Sequence, residues 1–123
     1  LKKIQEYDLL KLLKNSNVKL LEPAGYTEFV ELISQANKVI TDSGGVRREA
    51  YILGKPIILL LDLIWFPEIH DAGWACVVDD DQEKIITSIQ EFEPPRKEKP
   101  IIFGDGYAHK KIVDDIEFFL QSK

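Results

Sequence analysis

The sequence predicts an α/β fold, a Rossmann-like doubly wound parallel sheet, and three observations predict it. Apolar residues recur alternately at strand and helix spacing along the chain. Residues 56–61 form a continuous apolar run, as a strand buried on both faces of a parallel sheet requires. A polar turn, Asp42-Ser43-Gly44-Gly45, separates a β-branched stretch from a helical one. Crossovers in such a sheet are right-handed, and ligands bind beyond the carboxyl ends of the strands.

Each element follows from local pattern. Leu9, Leu10, Leu12 and Leu13, set among lysines and acids, predict an opening amphipathic helix closed by Asn15-Ser16-Asn17. Residues 18–21 read as a strand, and Glu22-Pro23-Ala24-Gly25 punctuates the chain after it. Phe29, Val30, Leu32, Ile33 and Ala36 recur at three- and four-residue steps and predict a second helix over 26–37. Residues 38–41 read as a short strand and 46–53 as a helix, stopped by Gly54 with Pro56 close behind. Residues 56–61 and 75–78 supply two more strands, making four in all. Asp80 with Glu83 resembles a capping box for a helix reaching about Phe92. Residues 93–100, with Pro94, Pro95 and Pro100, read as an exposed connection. After Gly104-Asp105-Gly106, a last helix is marked by Ile112, Val113, Ile116, Phe119 and Leu120.

A chain of 123 residues suits one domain spanning 1–123. Sixteen basic against twenty-one acidic residues give a net charge of −5, which argues against general attraction to nucleic acid or anionic membranes. The single Cys76 cannot form an internal disulfide, and with only His70 and His109 beside it there is no zinc-ligand cluster, so a reducing cytoplasm is expected. Asp79-Asp80-Asp81 is explained by helix capping and solubility, and no metal is expected. The longest apolar run falls far short of the ~20 residues that cross a bilayer. The chain begins at Leu1 and contains no methionine, and the expectation is a fragment of a longer protein.

Chemistry is expected at Thr41-Asp42-Ser43-Gly44-Gly45-Val46, which leaves a strand and opens a helix. Unpaired N–H groups and the positive helix end converge there, which suits a phosphate. Gly44 and Gly45 put no Cβ in the way of an anion, and the Ser43 hydroxyl adds a donor. A plain helix cap with a tight turn explains the same residues. Glu49, about one turn further on, is placed for a ribose or, more blandly, for solvent. Gly54-Lys55 is no nucleotide-binding lysine motif, because Pro56 stands where Ser or Thr is needed.

The run from Thr41 through Gly44-Gly45-Val46-Arg47-Arg48-Glu49-Ala50, followed by Leu53-Gly54-Lys55-Pro56, is similar to the signature of the UDP-N-acetylglucosamine 2-epimerases. Leu21-Glu22-Pro23 with Tyr26 and Phe29-Val30, Pro67-Glu68 with Ala72-Gly73, and Gly104-Asp105-Gly106 extend the resemblance over nearly the whole chain. The resemblance implies the C-terminal half of a two-domain, glycosyltransferase-B-like architecture. In it, Ser43, Gly44 and Gly45 hold a UDP diphosphate, Glu49 the ribose, and Phe29 lies beside the uracil. For Phe29 a core role is equally consistent with its place on the apolar helix face. The implied reaction eliminates UDP and re-adds it after proton exchange at C2, with no metal, nicotinamide or other cofactor. Its acids and bases belong to the missing N-terminal domain, so no catalytic residue is assigned to this chain. The implied partners are a UDP-sugar, that domain and, for the parent, a second copy.

The sequence departs from the pattern at Leu63-Ile64-Trp65-Phe66, where the family has threonines and an acid–arginine pair. Trp65 and Phe66 fit a core, an interface or a stacking role, and cannot replace bidentate phosphate binding. Arg48 stands where a second acid is common, and Ile101-Ile102 replace an asparagine and proline. A hydrolysing epimerase, a related glycosyltransferase and a non-catalytic nucleotide-binding module stay open as alternatives.

Overall fold

The computed structural model describes residues 2–14, 16–62 and 67–122. In chain order they form α1 (Lys2–Glu6), α2 (Leu10–Lys14), α3 (Tyr26–Gln35), β1 (Val39–Thr41), α4 (Gly44–Ile52), β2 (Ile57–Leu59), α5 (Glu68–Asp71), β3 (Ala75–Val77), α6 (Gln82–Glu91) and α7 (Ala108–Gln121). The strands make one parallel sheet in the order β1-β2-β3, aligning Val39 with Ile57 and Ile57 with Ala75.

Ile57, Ile58 and Leu59 are all buried, so both faces of β2 are covered, as the apolar run predicts. Ile57 and Leu59 point into a core with Ile33, Ala50, Tyr51, Ile69 and Ala75. Ile58 points to the other face by strand alternation, and α6 also meets β2. The sheet is thus covered from two sides, the doubly wound arrangement expected.

Four expectations shift. The opening helix is two short ones, broken where Asp8 takes a left-handed φ of 51°. Residues 18–21 have no ladder partner among the described residues, and Val18, Leu20 and Leu21 stay exposed. The cap of α6 is Asp81 rather than Asp80: its carboxylate accepts from the Lys84 N–H at 3.0 Å. That bond holds the Asp81 carboxyl below the usual carboxylate range, so the cap is complete at neutral pH and fades as pH falls through the lowered pKa. α5 was too short to leave a periodic signal.

The connection over 93–100 is largely exposed, as expected, but Lys99 anchors it. Its ammonium donates to the carbonyls of Tyr51 at 2.5 Å and Ile52 at 2.8 Å, capping the negative end of α4. It also lies 4.9 Å from the Tyr51 ring centroid, and burial draws its pKa below the ordinary lysine range. Tyr51 donates its hydroxyl to the Pro100 carbonyl at 2.5 Å and meets Trp74 and Phe103 edge-on. Burial pushes the Tyr51 phenol above its ordinary value. No helix among the described residues is long and apolar enough to cross a membrane.

Tyr51 is therefore the joint between α4, the core and the 99–103 strap. Tyr51→Ala is expected to cost about 3–5 kcal/mol, the range for buried aromatic truncations. Tyr51→Phe should cost about 1 kcal/mol for the lost hydrogen bond. Urea unfolding measures both; a Phe variant as stable as the native chain would show that the bond to Pro100 contributes nothing.

Candidate nucleotide-binding site

The site forms where β1 ends. The Thr41 hydroxyl accepts from the Ser43 N–H at 3.0 Å and turns the chain out of the strand. Ser43 is extended, with φ −80° and ψ 128°, and its hydroxyl oxygen accepts from the Val46 N–H at 3.4 Å. Its carbonyl accepts from the Arg47 N–H at 3.2 Å. Ser43 is therefore the helix cap, and its O–H remains able to donate. α4 starts at Gly44, two residues ahead of the predicted Val46, because both glycines already take helical backbone.

Four amides meet at this helix start. Those of Ser43 and Val46 are taken by side chains. Those of Gly44 and Gly45 are bonded to no group among the described residues. Gly45 is exposed and Gly44 half-buried, so these donors face outward.

Neither glycine is demanded by the fold. Gly73 is: its φ is +76°, and a Cβ there would meet the Pro95 ring at 2.7 Å. At Gly44 a Cβ would approach Arg47 Nη2 no closer than 3.7 Å, and at Gly45 the Ser43 hydroxyl no closer than 3.9 Å. Neither has a positive φ. Each helical glycine nevertheless costs roughly 0.5–1 kcal/mol relative to alanine. What the pair provides is bare main chain at a positive helix end.

Glu49 lies on the same helix, half-buried, roughly 7–8 Å along the axis from Gly44 at the ordinary helical rise. Phe29 lies on α3, which meets α4, and packs against the core from a half-buried position. Core packing is thus one established job of Phe29. Trp65 and Phe66, with Leu63 and Ile64, lie outside the described residues. Arg48 is half-buried on α4.

Sequence reasoning missed Arg47. It is only 3% exposed, and its side chain folds back along α4 to place Nη2 beside Gly44. Burial lowers its pKa and Arg48 adds to that, while the Glu68 carboxylate opposes both. The signal was present: position 47 precedes the buried Ala50 and Tyr51 by three and four residues, and so shares their face.

Two grooves among the described residues lie away from this turn. One of about 470 Å³ runs between Tyr51, Lys99 and Phe103; the other, about 330 Å³, is lined by Trp74 and Pro95. The glycine turn is an open ledge at the carboxyl end of β1.

The family model for UDP-N-acetylglucosamine 2-epimerase matches residues 2–117. A UDP-N-acetylglucosamine 2-epimerase homolog from Methanococcus maripaludis is 38% identical over 114 residues, 92% of this chain and 32% of its own. The structure of UDP-GlcNAc 2-epimerase from Methanocaldococcus jannaschii superposes with a TM-score of 0.84 at 35% identity, over 95% of this chain and 33% of that one. The same enzyme in complex with UDP-GlcNAc and UDP gives 0.81 at the same identity and coverage. The chain spans about a third of the length of these relatives.

Since the fold does not need the glycines, Gly44→Ala and Gly45→Ala are expected to leave stability unchanged or raise it by up to about 1 kcal/mol. Ser43→Ala should lower it by about 1 kcal/mol through the lost cap. Thermal and urea unfolding decide; a clear loss at either alanine would mean that the fold itself demands glycine.

Proposed function

The chain belongs to the UDP-N-acetylglucosamine 2-epimerase family, and on that premise we propose that it forms the UDP-binding half of an enzyme interconverting UDP-N-acetylglucosamine and UDP-N-acetylmannosamine. The observation that carries this reading is the pair of outward-facing amides on Gly44 and Gly45, at glycines the fold does not require. Ser43, Gly44 and Gly45 hold the diphosphate, the Ser43 hydroxyl donating while it caps the helix. Glu49 accepts from the ribose hydroxyls, and Phe29 borders the uracil with the edge its core packing leaves open.

The reaction removes the C2 proton and expels UDP from C1, leaving an unsaturated sugar. UDP then re-adds at C1 as C2 is protonated from the opposite face. A firm hold on UDP matters at both steps, because the leaving group must stay in place to return. The amides of α4 stabilise the charge that UDP gains on departure. The bases and acids come from an N-terminal domain facing this one across the cleft, in a parent enzyme that works in the cytoplasm as a homodimer. At residues 65 and 66 Trp and Phe stand where the family pattern has an acid–arginine pair, a departure that bears on the fate of the sugar, and a hydrolysing course that releases UDP and N-acetylmannosamine is the second reading. The product formed from UDP-N-acetylglucosamine separates the two.

For the chain itself, weak UDP binding without turnover is expected. Titration with UDP should move the amide resonances of Phe29 and residues 43–49, and shifts confined to other surfaces would refute the placement. Glu49→Ala should weaken UDP by about tenfold, in line with a lost charge-assisted hydrogen bond, while leaving inorganic pyrophosphate unaffected. Equal weakening of both ligands would remove Glu49 from the ribose.

A further inference from the structure

Two consecutive glycines turn more freely than any other pair of residues, and a cradle made from their amides has no direction of its own. The fold supplies one through two hydroxyl groups, set on either side of the pair. On the helix side, the Ser43 hydroxyl accepts from the Val46 N–H at 3.4 Å and closes the first turn of α4. On the strand side, the Thr41 hydroxyl accepts from the Ser43 N–H at 3.0 Å. Thr41 is the last residue of β1, in register with the buried Leu59, and its carbonyl accepts from the Leu60 N–H at 3.1 Å. Its half-buried side chain is thus mounted on the sheet. Asp42, between the two hydroxyl residues, is exposed, and its carboxylate takes part in neither bond. The sheet therefore reaches the glycine turn through Thr41. The same bond withdraws the Ser43 amide from any ligand and leaves those of Gly44 and Gly45 facing outward.

We propose that Thr41 is a positioning residue of the diphosphate cradle: by taking the Ser43 N–H, its hydroxyl fixes the turn on β1 and aims the Gly44 and Gly45 amides, so that these two, and not Ser43, donate to the diphosphate. The proposal rests on the assignment of Ser43, Gly44 and Gly45 to the diphosphate and adds what orients them. Donors already set in direction need no ordering when the anion arrives, which is where the affinity comes from. A side chain that merely braces the strand end would be indifferent to whether the ligand carries a diphosphate.

The test is the affinity of the chain for UDP, inorganic pyrophosphate and uridine, by NMR titration, in the wild type, Thr41→Val and Thr41→Ser. Valine keeps the branched shape that suits a strand and loses the acceptor, whereas serine keeps the acceptor and loses only a methyl group. Thr41→Val is expected to weaken UDP and pyrophosphate alike by about fivefold, the worth of one neutral hydrogen bond, and to leave uridine unchanged. Thr41→Ser is expected to restore both. Equal weakening of uridine, or no rescue by serine, would make Thr41 a structural brace and overturn the proposal. Tighter UDP binding by Thr41→Val overturns it too, since the released Ser43 amide would then be the better donor. Should Thr41→Val fail to fold, the wild type still decides. On UDP binding, amide hydrogen exchange should slow at Gly44 and Gly45 and hold steady at Ser43, and a Ser43 amide that slows as much as theirs overturns the assignment. Absence of UDP binding by the wild type would instead sink the cradle itself, whereas UDP binding that Thr41→Val leaves unchanged sinks only the role of Thr41.

Discussion

The seating of α4 across β1 and β2 is the constraint on which the rest of the molecule depends. Ala50 and Tyr51 fix its inner face against the sheet. Its two ends are treated differently. The C-terminal carbonyls are closed off by Gly54, with φ +70°, and by the Lys99 ammonium. The N-terminal amides keep only the Ser43 side chain as a cap, and two are left outward. A helix anchored at one end and bare at the other holds its partial positive charge at a fixed point in space. That point lies at the carboxyl edge of β1, the side of such a sheet where ligands gather.

Lys99 and Arg47 lie at opposite ends of this helix. Lys99 lies at the end where the dipole welcomes a cation, and its role in stability follows directly. Arg47 folds back to the end where the dipole disfavours one, and the Glu68 carboxylate offsets part of that cost.

Much of this was legible in the sequence, and the parts that were not share a physical cause. The apolar run of 56–61 announced β2 because double-sided burial leaves an uninterrupted pattern. Asp42-Ser43-Gly44-Gly45 announced the turn, yet the helix was placed two residues late because glycine reads as a breaker while also serving as an open first turn. Residues 18–21 carry a strand-like pattern, but a strand exists only with a neighbour, which local sequence cannot supply. Similarly, α7 was read from its apolar spacing and is a helix, while Ile112, Ile116 and Phe119 remain exposed. Periodicity reports conformation, and burial is a separate matter. Arg47 and Lys99 were passed over for one reason: long cations are assigned to solvent by default, although their stems readily pack and their heads find fixed partners.

A ledge and a pocket bind by different means. An enclosed pocket gains affinity from apolar area removed from water. The glycine turn encloses nothing and offers direction instead: two amides, one hydroxyl and a fixed positive field aimed at a single point. Such a surface orients a charged group more than it sequesters it. On the proposed reading this is the division of labour that elimination and re-addition require, one wall keeping hold of the departing diphosphate while another works on the sugar. On that reading anchoring and chemistry can change independently, since the chain departs from the family pattern at residues 63–66 while keeping Ser43, Gly44, Gly45 and Glu49.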